Sequence, residues 1–466
     1  MKKLNINRRE FLKRVGLGAA ATSLTFVGCD TKNGSVLGNK TASKEVPTDK
    51  MTYRENPKTG EKVSILGYGC MRWPTKPNPD GKGEIIDQDE VNRLVDYAIE
   101  HGVNYFDTAP PYCQGQSEKS TGIALKRHPR ESYYIATKMS NTGMGMGMSP
   151  KESYERSVEM YHNSFKNLQT DYIDYYLLHI VGIGGLEQMM ARFINNNLID
   201  FLLKEREAGR IRNLGFSFHG DIKVFDYFME HHDEYKWDFV QIQLNYVDYR
   251  HASGFNFKAE YLYDELAKRG IPVVVMEPLL GGRLAALNDF LNARLKRHRP
   301  DDSISSWAFR FAGTFPKVLT VLSGMTYMEH LQDNIKTYSP LEPCSEDELA
   351  LLEDTALITL NYPTVPCTAC QYCMPCPYGI NIPAIFAHYN KCINEGNVPA
   401  TSQDENYAKA RRAFLVGYDR SVPRLRQASH CIGCNQCAPH CPQSIRIPAQ
   451  MQRIDEFVEK LKQNTL

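Results

Sequence analysis

From Lys62 onward, eight short runs rich in β-branched and aromatic residues alternate with amphipathic helical stretches. The runs are VSILGYG, VNYFDTA, YYIATK, YIDYYLLH, IRNLGFS, FVQIQLN, IPVVVMEP and VLTVLSG; helical partners are expected over 89–101, 117–126, 151–168, 189–208, 261–269, 304–311 and 328–337. Strand and helix periods alternating in this way predict βαβ units and a parallel sheet. Eight units in about 280 residues fit a closed (β/α)8 barrel, with its active site on the loops at the C-terminal strand ends. An open doubly wound sheet is the runner-up, but GYGCMRWP lacks the third glycine and the following helix of a GxGxxG turn.

Ionisable residues fall where such a barrel places its chemistry. Asp107 ends one run, Tyr112 follows five residues later, Lys138 ends the next run and His179 the one after. Singly, each has a bland reading as a solvated lysine, a turn aromatic or a core histidine. Four at three successive strand ends point to one site.

These residues carry a resemblance: YFDTAPPY, ATK and LLH are similar to the Asp, Tyr, Lys, His tetrad of the aldo-keto reductases, in the same order. GQSE at 115–118 and GRIRNLGFS extend it, and it covers about residues 51–341. The resemblance implies nicotinamide-dependent reduction of a carbonyl, or oxidation of an alcohol. Hydride arrival builds negative charge on the carbonyl oxygen, so a proton donor must stand within hydrogen-bond reach. Tyr112 would be that acid, Lys138 the ammonium lowering its pKa, Asp107 the partner of Lys138, and His179 the group orienting the carbonyl.

The same resemblance places Ser217 and Gln241 at the nicotinamide carboxamide, Met276 against the ring face, and Ser323 and Asn334 at the adenosine phosphate. Phe218-His219 stand where Asn-Phe is usual, and His330 lies near the place of the usual arginine. An arginine fork is what a 2′-phosphate prefers, so NADP(H) is expected over NAD(H) by a small margin.

Eight of the thirteen cysteines lie in two clusters. Cys367, Cys370, Cys373 and Cys376 read CxxCxxCxxCP; Cys431, Cys434, Cys437 and Cys441 read CxxCxxCxxxCP. Three close thiols wrap one cluster while the cysteine before proline reaches another, so two [4Fe-4S] clusters are expected. Cys367, Cys370 and Cys373 would share one with Cys441, and Cys431, Cys434 and Cys437 the other with Cys376. Zinc is the competing reading. Helical spacing between the runs resembles a helical dicluster ferredoxin, and Cys392 reads as core. Cys70, Cys113 and Cys344 read as small buried hydrophobes.

At the N-terminus, NRREFLKR precedes a short apolar run from Val15 to Val27. Arg8-Arg9 with Phe11-Leu12-Lys13 resembles a twin-arginine export motif. Phe26-Val27-Gly28-Cys29 resembles a lipobox, in which Cys29 would carry the lipid. Residues 1–28 hold six basic residues and one acidic, so the remainder carries 49 against 53, a charge of −4. With +1 over the whole chain, no nucleic-acid partner is expected. A membrane partner is expected only through Cys29.

The expected organisation is therefore a signal over 1–28, a tether over 29–49, an α/β barrel of the TIM type over 50–341 and a small helical iron–sulfur domain over 342–466. The expected partners are a small carbonyl or alcohol, a redox partner protein and the twin-arginine translocase; the expected location is the periplasm or cell envelope. The alternative is an exported electron-transfer protein whose barrel binds a redox ligand without nicotinamide turnover. Hydride moves two electrons and a cluster one, and no flavin site is legible to convert between them.

Overall fold

The computed structural model describes residues 46–466 apart from positions 82, 255, 442 and 444. The export signal, Cys29 and the tether up to residue 45 lie outside the described residues. The rest forms one compact unit.

All eight expected strands form, as β1 Leu66–Gly69, β2 Tyr105–Asp107, β3 Tyr134–Met139, β4 Ile173–Val181, β5 Ile211–Phe218, β6 Phe239–Gln243, β7 Val273–Met276 and β8 Val318–Ser323. They pair in parallel in sequence order and close into a barrel through β8 and β1, where Val321 sits opposite Leu66. Tyr105, Ala136, Tyr175, Leu177, Phe239, Val274 and Leu319 fill the interior. A hairpin of Tyr53–Glu55 and Lys62–Ser64 lies before β1. Val63 joins the interior cluster, and Asn56 donates to the Tyr175 hydroxyl at 3.1 Å. The run VSILGYG thus serves two elements, the hairpin arm and β1.

The outer ring comprises α1 Gln88–Glu100, α2 Ser117–Leu125, α3 Pro150–Leu168, α4 Leu198–Glu207, α5 Ile222–Glu230, α6 Ala259–Lys268, α7 Ile304–Thr314 and α8 Met328–Thr337. Local sequence sets their ends. Ser149 caps α3 by accepting from the Glu152 amide, with Pro150 in the first turn, and Gln169 ends it in a left-handed conformation. The helix expected over 189–208 is broken: Gly185–Met189 runs into a π-helical turn at Met190–Ile194, and α4 starts only at Leu198. Arg192 sits in that turn, and its guanidinium donates to the carbonyls of His179 and Ile180 and to Asn141 Oδ1.

The barrel's packing extends past residue 341. Helix α9, Glu346–Leu360, begins with a capping box between Ser345 and Glu348 and buries Leu351, Leu352 and Ala356 in the barrel's outer core. Beyond it α10 Ile382–Asn394, α11 Tyr407–Ser421 and α12 Ile447–Gln463 pack around Phe386, Phe414, Met451, Ile454 and Val458. This is the mainly helical C-terminal region expected from the sequence, and both cysteine runs lie in its loops. Among the described residues no helix is long and apolar enough to cross a membrane.

Candidate active site and thiol clusters

The C-terminal ends of the barrel strands surround one cleft, lined by Asp107, Tyr112, Lys138, His179, Ser217, Gln241 and Met276 among others. Lys138 is fully buried and donates to Asp107 Oδ1 at 2.5 Å and to the Thr108 carbonyl at 2.7 Å. Burial moves both partners toward their neutral forms, Asp107 upward and Lys138 downward, while their mutual attraction opposes it. The Lys138 ammonium stands 5.0 Å from the Tyr112 ring centroid.

The expected lowering of the Tyr112 pKa is not what the surroundings give. Burial pushes the phenol well above its ordinary value, and the charges of Tyr372, Asp107 and Glu277 act in the same sense. Tyr112 is therefore a firmly protonated donor. His179 meets it edge to face, ring centroids 5.9 Å apart. The His179 Nδ1 shares a 2.6 Å hydrogen bond with Ser140 Oγ, which leaves Nε2 for a ligand. Burial first, then Lys138, His219 and Arg192, hold this imidazole well below its usual pKa, so it is neutral. His219 is likewise lowered to about 4 by burial.

Of the expected nicotinamide contacts, Ser217, Gln241 and Met276 reach the cleft. Ser217 Oγ accepts from the Ile180 amide at 3.0 Å and keeps its own proton to donate. The buried Gln241 Oε1 has no partner among the described residues, as an acceptor awaiting a carboxamide N–H would be. The ring end of a nicotinamide fits these residues. Ser323 and Asn334 do not line the cleft; both are buried, and Asn334 donates to Ser323 Oγ at 3.0 Å.

The sequence left several cleft residues unnoticed, although Glu277 and Arg72 sit inside MEPLLGG and GYGCMRWP. Glu277 holds a left-handed backbone, φ +54°, and its Oε2 is shut from solvent without a partner among the described residues. Such a backbone costs a non-glycine residue about 1–3 kcal/mol. Thr368, Cys370, Tyr372 and Gln443 also line the cleft, so the C-terminal region contributes one of its walls.

Cys367, Cys370, Cys373 and Cys441 line one cavity with Ile382, Phe386, Ile445 and Ile447. Burial pushes the Cys373 thiol up to about 12, with Cys370, Cys367 and Cys441 adding to it. Cys437 is raised by burial and then by Cys376, Cys431 and Cys434, the members of the other set. Thiols crowded in this way ionise readily only around a cationic centre, and their apolar wall suits an iron–sulfur cluster. A zinc site on these thiols would need its ligands about 2.3 Å from one ion. Cys392 is buried in α10, as expected of a core residue, and Cys70 and Cys344 are buried too, while Cys113 is only partly so.

Two family profiles match the chain: Aldo/keto reductase family over residues 65–356, and 4Fe-4S dicluster domain over residues 366–446. The chain is 26% identical over 317 residues to L-galactose dehydrogenase of Arabidopsis thaliana, covering 64% of this chain and 92% of that protein. It is 26% identical over 347 residues to Protein tas of Escherichia coli K12, covering 65% and 97%. Among solved structures, the aldo-keto reductase AKR11C1 from Bacillus halodurans, in its holo form, superposes with a TM-score of 0.50 at 24% identity, covering 65% of this chain and 96% of that one.

Proposed function

This chain belongs to the aldo/keto reductase family and is an oxidoreductase with a C-terminal 4Fe-4S dicluster domain; from that premise we propose that its barrel reduces a small carbonyl, or oxidises the matching alcohol, with Asp107, Tyr112, Lys138 and His179 as the working tetrad. The observation that carries this reading is the buried Lys138–Asp107 pair placed under the Tyr112 ring in a cleft that His179 also faces. When bound, a nicotinamide supplies the hydride. Ser217 and the unpaired Gln241 Oε1 would hold its carboxamide, and Met276 would cover its ring. NADP(H) is the expected form.

The chain's own residues then do three things. Neutral His179, its Nδ1 held by Ser140, presents Nε2 to the carbonyl oxygen. Tyr112 gives its hydroxyl proton to that oxygen as charge develops there. The Lys138 ammonium, kept close by Asp107, lowers the cost of the phenolate left behind. Without that charge, the burial that raises the Tyr112 pKa would make the transfer unfavourable.

Two [4Fe-4S] clusters are proposed, one on Cys367, Cys370, Cys373 and Cys441 and one on Cys431, Cys434, Cys437 and Cys376. They would supply one-electron exchange, with a redox partner protein outside. For location we propose export by the twin-arginine route, with Cys29 lipidated; Arg8-Arg9 and the lipobox-like Phe26–Cys29 stretch support it. Lysine at both Arg8 and Arg9 should keep the protein in the cytoplasm, and equal export of that variant would remove the proposal.

The test of the activity is NADPH oxidation at 340 nm by anaerobically purified full chain against a panel of aldehydes and quinones. Turnover with at least one of them is expected. No turnover and no nicotinamide binding would favour the second reading, a barrel that binds a redox ligand without nicotinamide; the cleft wall supplied by Cys370 and Tyr372 is the observation behind it.

A further inference from the structure

Two segments, one at Thr368–Cys370 and one at Gln443, lie between the cleft and the cavity of the first thiol set. Thr368, Cys370 and Gln443 line both. The first segment is docked firmly on the barrel: Arg72 donates to the Thr368 carbonyl at 3.2 Å, and a Cβ at Gly281, where φ is +66°, would overlap Thr368. Asn394 of α10 adds a bond to the Ala286 carbonyl at 3.2 Å. Just upstream, Asn390 and Val365 exchange two 2.7 Å hydrogen bonds, fixing the entry to Cys367. Tyr372, 41% exposed, stands at the rim of the cleft.

The cleft also describes its occupant. Glu277 Oε2 is a buried acceptor without a partner among the described residues, on a residue that lines it. An unpaired buried acceptor is costly, so the hydroquinone form of a ligand, which bears hydroxyl donors, is favoured there. The Tyr112 and His179 rings, with Met276 and Leu322, offer the apolar surface that a flat ring needs. A ligand exchanging electrons with a one-electron centre must tolerate a half-reduced state. Conjugation between two carbonyls spreads that unpaired electron; an isolated ketone has no such means.

We propose that the Thr368–Tyr372 stretch is an electron-exchange wall, across which a quinone-like conjugated dicarbonyl held in the barrel cleft gains or loses electrons one at a time at Cys370. This rests on the reading that the cleft is an oxidoreductase site for carbonyls. The ligand's balance is Q + 2 e− + 2 H+ → QH2. Both electrons originate in a one-electron carrier protein, which meets the chain at the second thiol set, where Cys434 is exposed and Ile432 is 63% exposed. One proton goes to each ligand oxygen, drawn from solvent by way of the cleft mouth. The two-electron chemistry of the barrel and the one-electron chemistry of the tail then share a ligand rather than requiring a flavin.

The test uses the anaerobic full chain with its clusters intact, reduced by dithionite, freed of excess reductant and mixed with menadione. Reoxidation should reach a limiting rate as menadione rises. Ile183→Trp, which fills the cleft from the loop after β4, should slow it at least tenfold and leave oxidation by ferricyanide at the exposed set unchanged. A rate linear in menadione and indifferent to Ile183→Trp would overturn the proposal. A second readout needs no turnover and no variant: menadiol added to fully reduced protein should alter the EPR signal of one cluster, and an unaltered spectrum overturns the proposal equally. The hydride reading is scored separately by NADPH oxidation. A chain that exchanges electrons with menadione but never oxidises NADPH loses that reading alone; one that oxidises NADPH with a linear menadione response loses this proposal alone.

Discussion

Lys138 Nζ lies 5.0 Å from the centroid of the Tyr112 ring and spends its hydrogen bonds on Asp107 Oδ1 and the Thr108 carbonyl. The ammonium thus acts on Tyr112 through space, and its own position depends on a carboxylate that is itself buried. Removing one partner leaves the other as an uncompensated buried charge, at a cost of about 3–5 kcal/mol. Lys138→Met should therefore lose both activity and stability of about that size. Pairing it with Asp107→Leu should return most of the stability and none of the activity. Chemical denaturation beside a turnover assay separates the two effects.

The neutral state of His179 sets a pH dependence. Burial holds its folded pKa well below the ordinary 6.5, so it takes up no proton near that pH while the unfolded chain does. The contribution to stability is present above about 6.5 and declines as pH falls below it. The profile of kcat/KM should show no limb near 6.5 assignable to this imidazole. Denaturant midpoints in His179→Gln should be flatter than wild type below pH 6.5.

Helix α9 is tied to the barrel by Glu348, which accepts from Arg310 at 2.7 Å and from Arg299 at 2.6 Å. Burial alone would raise its pKa, but the two guanidinium bonds outweigh it and bring the carboxyl down to about 2. Its stabilisation is present above the ordinary carboxylate pKa of 4.5 and fades as pH falls from there toward 2. Arg310 is only 3% exposed. Glu348→Leu should cost about 3 kcal/mol at neutral pH, and its stability should change less than that of wild type between pH 4.5 and 2. Thermal or denaturant unfolding across that range checks it.

Metal content tests the thiol assignment. Cys373→Ser should lower iron from about eight per chain to about four, while Cys392→Ala, a core change within α10, should leave iron unchanged. Loss of iron in Cys392→Ala would move that residue among the ligands.

The barrel was legible because each strand is a short β-branched run between helical periods, and all eight close in sequence order. The tetrad positions were legible for the same reason: each lies at a strand end or in the loop just after one. What the sequence hid was long-range. Nothing local to Thr368 or Tyr372 says that they face Tyr112, some 260 residues earlier. The break before α4 coincides with Arg192 reaching the His179 carbonyl, a contact invisible in a helical period. Helix α9 carries its signal openly, Ser345-Glu346-Asp347-Glu348 forming a capping box, yet the expected barrel boundary at 341 passed over it. An ammonium neighbour alone would lower the Tyr112 pKa; burial decides its direction, and burial is a property of the assembled cleft.

Tyr112, placed beside the Lys138–Asp107 pair, is the proposed proton donor of the cleft. The most direct measurement is NADPH-dependent reduction of a responsive aldehyde or quinone by Tyr112→Phe, purified without oxygen, with iron content determined on the same sample. A loss of about 10²- to 10⁴-fold in turnover with iron unchanged is expected. Wild-type turnover in Tyr112→Phe at full iron content would contradict it.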